Sequence, residues 1–180
     1  CAGCKISGVC GKTPQVAHAQ DLLIYVIKGL GVIANHHQHG CGHDYCDFRK
    51  SIHAFVNDAL FCTITNANFD MESIYARIDK GLEIRDMCKD RVTTKQGIEL
   101  PKLDVLEWNG TREQYDEKAQ TVGILAESNK DIRSLKELTM YGLKGMAAYL
   151  EHAARLGQVD SDINEFILQN LGQLVTCNDA

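Results

Sequence analysis

The stretch TPQVAHAQDLLIYVIKGLGVIAN, residues 13–35, decides the fold. Thr13 followed by Pro14 is a helix start, with Thr as N-cap and proline at the first helical position. From Leu22 to Ile27 the residues are apolar on nearly every face. A helix apolar all round belongs inside the molecule, so this one is expected to be central. Its second half, YVIKGLGVIANH (25–36), is repeated later as YGLKGMAAYLEH (141–152). Tyr, Lys, Gly and His match at identical spacing, and Ile27 and Leu30 find apolar equivalents in Leu143 and Met146. A glycine inside a helix costs about 1 kcal/mol relative to alanine. Gly29 and Gly145 are therefore expected to serve close approach. The matched tyrosines and lysines are candidates for a site, although such residues more often pack or snorkel at a bundle edge.

Working outward, Ser51 is expected to cap a second helix, with Ile52, Phe55, Val56, Ala59, Leu60 and Thr63 on one face. The stretch TNANFD (65–70) contains stop and start residues, and Asp70 is expected to cap a third helix carrying Ile74, Ile78 and Leu82. Between residues 92 and 128 the periodicity fails. Pro101 and glycine-centred turns suggest a connecting arm with a short hairpin around Gly97 and a short polar helix over 112–119. Trp108 is expected to anchor this arm. Helical pattern returns over 129–156, capped by Asn129 or Asp131 and stopped by Gly157. A last helix follows Asp160-Ser161. The expected fold is all-α: two related three-helix bundles joined by a short irregular arm. Its parts are a cysteine-rich loop (1–12), a first bundle (13–91), the arm (92–128) and an incomplete second bundle (129–180).

The chain has 180 residues, 44% hydrophobic and 24% charged, with a net charge of −5. No basic stripe points to nucleic acid. No uninterrupted apolar run reaches the roughly 18 residues of a membrane span, and no secretory signal is visible. Cys1 rather than Met heads the chain, so a natural start upstream of it, or removed from it, is expected. Five of the eight cysteines cluster with Gly and His, Cys62, Cys88 and Cys177 are scattered as core or surface thiols, and a disulfide-stapled domain is usually shorter and richer in loops. That favours metal and a reducing, cytoplasmic compartment. The sequon Asn109-Gly110-Thr111 is then a chance match.

The opening CAGCKISGVCGK (1–12) places Cys1, Cys4 and Cys10 in C-x2-C-x5-C spacing, with glycines on both sides. Thiolates bind iron–sulfur clusters and zinc. Glycines let backbone N–H groups approach the sulfides and stabilise the negative cluster. No second C-x2-C pair favours zinc, so iron–sulfur ranks first. A cubane needs four ligands, so the fourth is either remote or upstream of Cys1. Lys5 and Lys12 flank the thiols and would favour their ionised form.

Three segments, GVCGKTPQVAHAQDLLIYVIKGL, LFCTITNANFD and DIRSLKELTMYGLKGMAAYLEHAARLGQ, together resemble the N-terminal part of the hybrid cluster protein family, also called prismane or hydroxylamine reductase. The resemblance is collinear over nearly the whole chain. It implies that Cys4 and Cys10, the latter followed by Gly11 and Lys12, help hold a [4Fe–4S] cluster, with Cys1 a substitute third ligand. It implies an electron-relay role within an oxidoreductase that reduces hydroxylamine or nitric oxide. It also implies that the hybrid cluster lies in later domains, or a further subunit, of the complete protein, with a redox donor protein as partner. Nickel-dependent carbon monoxide dehydrogenases are distant relatives whose cysteine motifs are not matched here.

A second candidate site is NHHQHGCGHDYC (35–46), with His36, His37, His39, Cys41, His43 and Cys46 within eleven residues. H-x-C-x-H and C-x4-C spacings can converge on one transition-metal ion. Against this, a polar loop between helices varies freely. His36 matches His152 in the repeat, which favours a structural role for it. Two alternatives to the electron relay stay open: a cluster-free helical docking domain, and a metal-binding module built on this loop. Neither a nucleophile elbow nor a phosphate loop is present.

Overall fold

The computed structural model describes residues 10–36, 43–64 and 67–177, with the backbone alone for 43–48. Among the described residues seven α-helices follow one another: α1 Pro14–His36, α2 His43–Cys62, α3 Met71–Asp90, α4 Asp104–Glu107, α5 Tyr115–Val122, α6 Lys130–Arg155 and α7 Ser161–Thr176. No strand occurs among the described residues, and the protein is all-α as its periodicity indicates.

The caps of α1, α3, α6 and α7 are those the sequence contains. The Thr13 hydroxyl accepts from Val16 N at 3.3 Å at the head of α1. Asp70, Asn129 and Asp160 each accept backbone N–H groups at the starts of α3, α6 and α7. Gly157 ends α6 at φ 75, the left-handed region that favours glycine.

α1 is the hub. It packs chiefly against α7 and α3, and also meets α5, α4 and α2, while α2 packs mainly on α6. Leu22, Leu23, Val26 and Ile27 are completely buried. A single core joins the segments 13–91 and 129–180. With 23 residues and a mean hydropathy of 1.4, α1 is long and apolar enough to cross a membrane, although Asp21 and Lys28 interrupt its apolar run. Yet 72% of its apolar window is buried inside the protein, as in a core helix.

Close approach explains two glycines in α1. A Cβ on Gly31 would sit 2.4 Å from Gly172 N and 2.6 Å from Leu168 O, so α1 and α7 cross with their backbones in contact. A Cβ on Gly29 would meet Val105 O at 2.8 Å. The neighbour that Gly29 admits is therefore α4, the short helix of the arm.

The arm is pinned by Arg85, whose side chain is 1% exposed. It donates to Trp108 O at 2.7 Å and Val105 O at 3.3 Å, and pairs with Asp86. Trp108 packs edge-on against Tyr25 at 6.1 Å and lies 6.0 Å from Tyr115, which anchors the arm as its sequence suggests. The Tyr25 hydroxyl donates to Asp104, and Lys118 reaches the same carboxylate.

Three expectations are corrected. α2 starts at His43 instead of Ser51, so Asp44 and Asp47 fall near its N-terminus, where the helix dipole favours acidic residues. No hairpin forms around Gly97. α3 runs on into a π-helical turn over Arg91–Lys95, where the Thr93 and Thr94 hydroxyls bond back to Lys89 O and Asp90 O. Gly97, at φ 65, ends that turn. The repeat partners also do not share an environment: Tyr25 is 9% exposed and Tyr141 79%.

Candidate functional site

Cys10 is a half-buried free thiol, followed by Gly11 at φ 85 and by Lys12. Lys12 Nζ donates to Gln20 Oε1 on α1. Gln20 Nε2 in turn donates to Asn68 O at 3.1 Å, and Asn68 Nδ2 to Ser73 Oγ at 3.1 Å and Cys62 Sγ at 3.3 Å. A chain of hydrogen bonds thus fastens the end of the cysteine loop to the α2–α3 link. Cys1 and Cys4 lie outside the described residues.

The other described cysteines are in different situations. Burial raises the Cys62 thiol, against the lowering effect of the Asn68 hydrogen bond. Burial pushes Cys88 up to about 12. Both are core thiols, protonated at neutral pH, and Cys177 is exposed at the end of α7. Among the described residues no group of three or more His, Cys, Asp or Glu side chains is gathered for a metal ion.

Of the histidine-rich stretch, His36 donates from Nδ1 to Val32 O at 2.9 Å, one turn back in α1. Its repeat partner His152 packs edge-on against Phe61 at 6.0 Å. Both contacts are structural. His37, His39 and Cys41 lie outside the described residues, as do the side chains of His43 and Cys46. The α2 backbone places those last two three residues apart.

A charged cavity of about 320 Å³ lies beside α1 and α6, lined by Asp21, Lys28, Lys136, Glu137, Met140 and Lys144. Lys28 and Lys144 are the matched lysines of the repeat. The register that sets Tyr25 on Tyr141 also sets Asp21 on Glu137. Two acid–lysine pairs, each seven residues apart, therefore converge on one space. The repeat thus extends one turn upstream of Tyr25 and Tyr141, and that signal lies in the sequence itself. Burial raises Asp21 to about 6, against the lowering field of Lys144. Burial lowers both lysines, while Glu137 and Asp21 oppose that. Gly123 gives Asp21 its room, since a Cβ there would meet Asp21 Oδ2 at 2.6 Å.

A third polar group had no sequence signal. Glu165 on α7 takes a two-pronged contact from Arg49 and a bond at 3.1 Å from His53 Nε2, both on α2. Burial opposes its ionisation, but hydrogen bonds from His53 and Arg49 hold it down at about 2. Nothing in the spacing announces it, because its partners lie more than a hundred residues away.

Fold and loop together define a class: an all-helical domain that presents a fastened cysteine–glycine–lysine end. A family model described as the Prismane/CO dehydrogenase family matches residues 1–178. A hydroxylamine reductase of Bacteroides fragilis (strain YCH46) is 47% identical over 174 residues, covering 96% of this chain and 30% of the relative. One from Clostridium perfringens (strain 13 / Type A) is 44% identical over 178 residues, covering 97% and 32%. One from Desulfitobacterium hafniense (strain DSM 10664 / DCB-2) is 45% identical over 171 residues, covering 94% and 30%. The chain belongs to the Prismane/CO dehydrogenase family. It spans about a third of the length of the curated relatives it matches.

Proposed function

We propose that this chain is the iron–sulfur electron-relay part of a hybrid-cluster-type oxidoreductase, a protein that reduces hydroxylamine or nitric oxide. Cys4 and Cys10 hold the cluster, with Cys1 as a third thiolate. The observation that carries the reading is the state of Cys10. Unlike Cys62 and Cys88, it is not sealed in the core, and it is followed by a left-handed glycine and a lysine tied to α1. That donor chemistry fits a thiolate ligand of an iron–sulfur cluster. A bound [4Fe–4S] cluster supplies one-electron acceptance and release. The protein's own share is to fix the loop end through the Lys12–Gln20–Asn68 bonds and to keep positive charge behind it. The positive field of Lys12 reaches Lys144. The partners in this reading are a cytoplasmic redox donor and the polypeptide that the relatives carry beyond the matched part.

Iron and sulfide analysis of anaerobically prepared protein tests this. Brown protein is expected, with Cys10→Ala losing most of its iron and Cys62→Ala keeping it. Equal iron in the two variants ends the assignment. Colourless, metal-free, folded protein returns the docking-domain alternative. Stoichiometric zinc bound through residues 36–46 returns the metal-module alternative.

A further inference from the structure

The charged cavity beside α1 and α6 is lined by side chains left without partners. Among the described residues the side chains of Asp21, Lys28 and Glu137 form no hydrogen bond, and no ion pair within 4.0 Å. Lys144 has one long bond, from Nζ to Thr63 O at 3.4 Å. Lys136 on the same lining is different, being paired with Glu127 at 3.2 Å. The four groups nevertheless feel one another. After the cost of burial, Glu137 is the leading influence on Lys28 and Lys144, and Lys144 the leading influence on Asp21. Two carboxylates and two ammonium groups thus face one space without closing on each other. Charge removed from water is costly unless it is paired. No sealed side-chain N or O atom among the described residues lacks a partner, so the free ends of these groups open into the cavity. Its volume of about 320 Å³ lies at the low end of small-ligand sites, roughly 300–1,000 Å³. Ile24, Val122, Met140 and Leu174 give it an apolar wall.

We propose that this cavity binds an α-amino acid with a small aliphatic side chain. The ligand's carboxylate accepts from the lysine ammonium groups, and its own ammonium group donates to Asp21 and Glu137. Its side chain lies on the apolar wall. A simple anion would satisfy the lysines but face two carboxylates, and a simple cation would meet the reverse problem. A ligand carrying both charges supplies charge-assisted hydrogen bonds to both kinds of group. Water fills the same space but leaves the apolar wall wet. Gly123 keeps the Asp21 end open, because a Cβ there would sit 2.6 Å from Asp21 Oδ2. The site uses no cysteine and no cluster, so it stands apart from the electron-relay reading.

Saturation-transfer NMR on this chain at about pH 8, above the folded pKa of Asp21 at about 6, reads binding directly. The probe is L-valine. Isovalerate, which lacks the ammonium group, and isobutylamine, which lacks the carboxylate, are each expected to bind about tenfold more weakly or worse. Glycine, which lacks the side chain, is expected to lose about as much. Lys28→Met is expected to weaken valine binding about tenfold and yet to raise the melting temperature of the ligand-free chain, because burial already disfavours the charge it removes. A lysine kept only for structure would lower that temperature. Glu137→Gln is expected to reverse the preference, with isovalerate then binding more tightly than valine. Equal binding of valine, isovalerate and isobutylamine overturns the proposal. Inorganic phosphate binding more tightly than valine also overturns it and makes the cavity an anion site. No response to valine up to about 10 mM leaves the cavity to water and ends the proposal as well. The probe series on the unsubstituted chain decides the outcome even where a variant fails to fold.

Discussion

Arg85 does at one position what a whole interface does elsewhere. Its guanidinium is sealed between α3 and the arm, and it supplies the donors for the Trp108 and Val105 carbonyls. Arg85→Met leaves those carbonyls without that donor, and it is expected to cost about 3 kcal/mol in urea unfolding, with loosened Trp108 fluorescence. Two carboxylates set opposite pH slopes. The folded pKa of Glu165, about 2, lies below its unfolded value, so its contribution is present above pH 4.5 and lost as pH falls toward 2. Glu165→Gln is expected to flatten that acid limb. The folded pKa of Asp21, about 6, lies above its unfolded value. The folded state then binds more protons, and stability falls as pH rises from about 4 to 6. Asp21→Asn is expected to abolish that decline, measured as unfolding free energy at half-unit pH steps.

Among the elements, α1 and α6 show how one pattern acquires two meanings. Both carry the Tyr-x2-Lys-Gly motif, but only α1 is enclosed. Gly31→Ala is expected to destabilise by about 3 kcal/mol, because the new methyl meets α7 backbone atoms that cannot turn aside. Gly145→Ala, in open space, is expected to stabilise the chain by about 1 kcal/mol through helix propensity alone. Thermal unfolding of the two variants separates close approach from propensity. The same contrast explains which elements could be read in advance. α1, α3, α6 and α7 have strong caps and a regular apolar stripe. The start of α2 carries no such signal, because His43 to Lys50 show no apolar stripe. The π-turn after α3 has no signal either, because threonine side chains bonding backward to carbonyls leave no periodic trace.

For the whole molecule, the sequence alone determined the helical class, the caps of α1, α3, α6 and α7, the central place of α1 and the family to which the chain belongs. These follow from local chemistry and from short patterns that need no partner to be recognised. It also marked Cys10, set apart from the core thiols by its neighbours Gly11 and Lys12. Tertiary structure decided the rest. It made Gly29 a seat for the arm, drew Glu165 to Arg49 and His53, gathered Asp21, Lys28, Glu137 and Lys144 around one cavity, and left half of α6 uncovered. Those outcomes depend on which faces of distant helices meet. Periodicity shows that a face is apolar, but what covers it is settled only when the chain closes on itself.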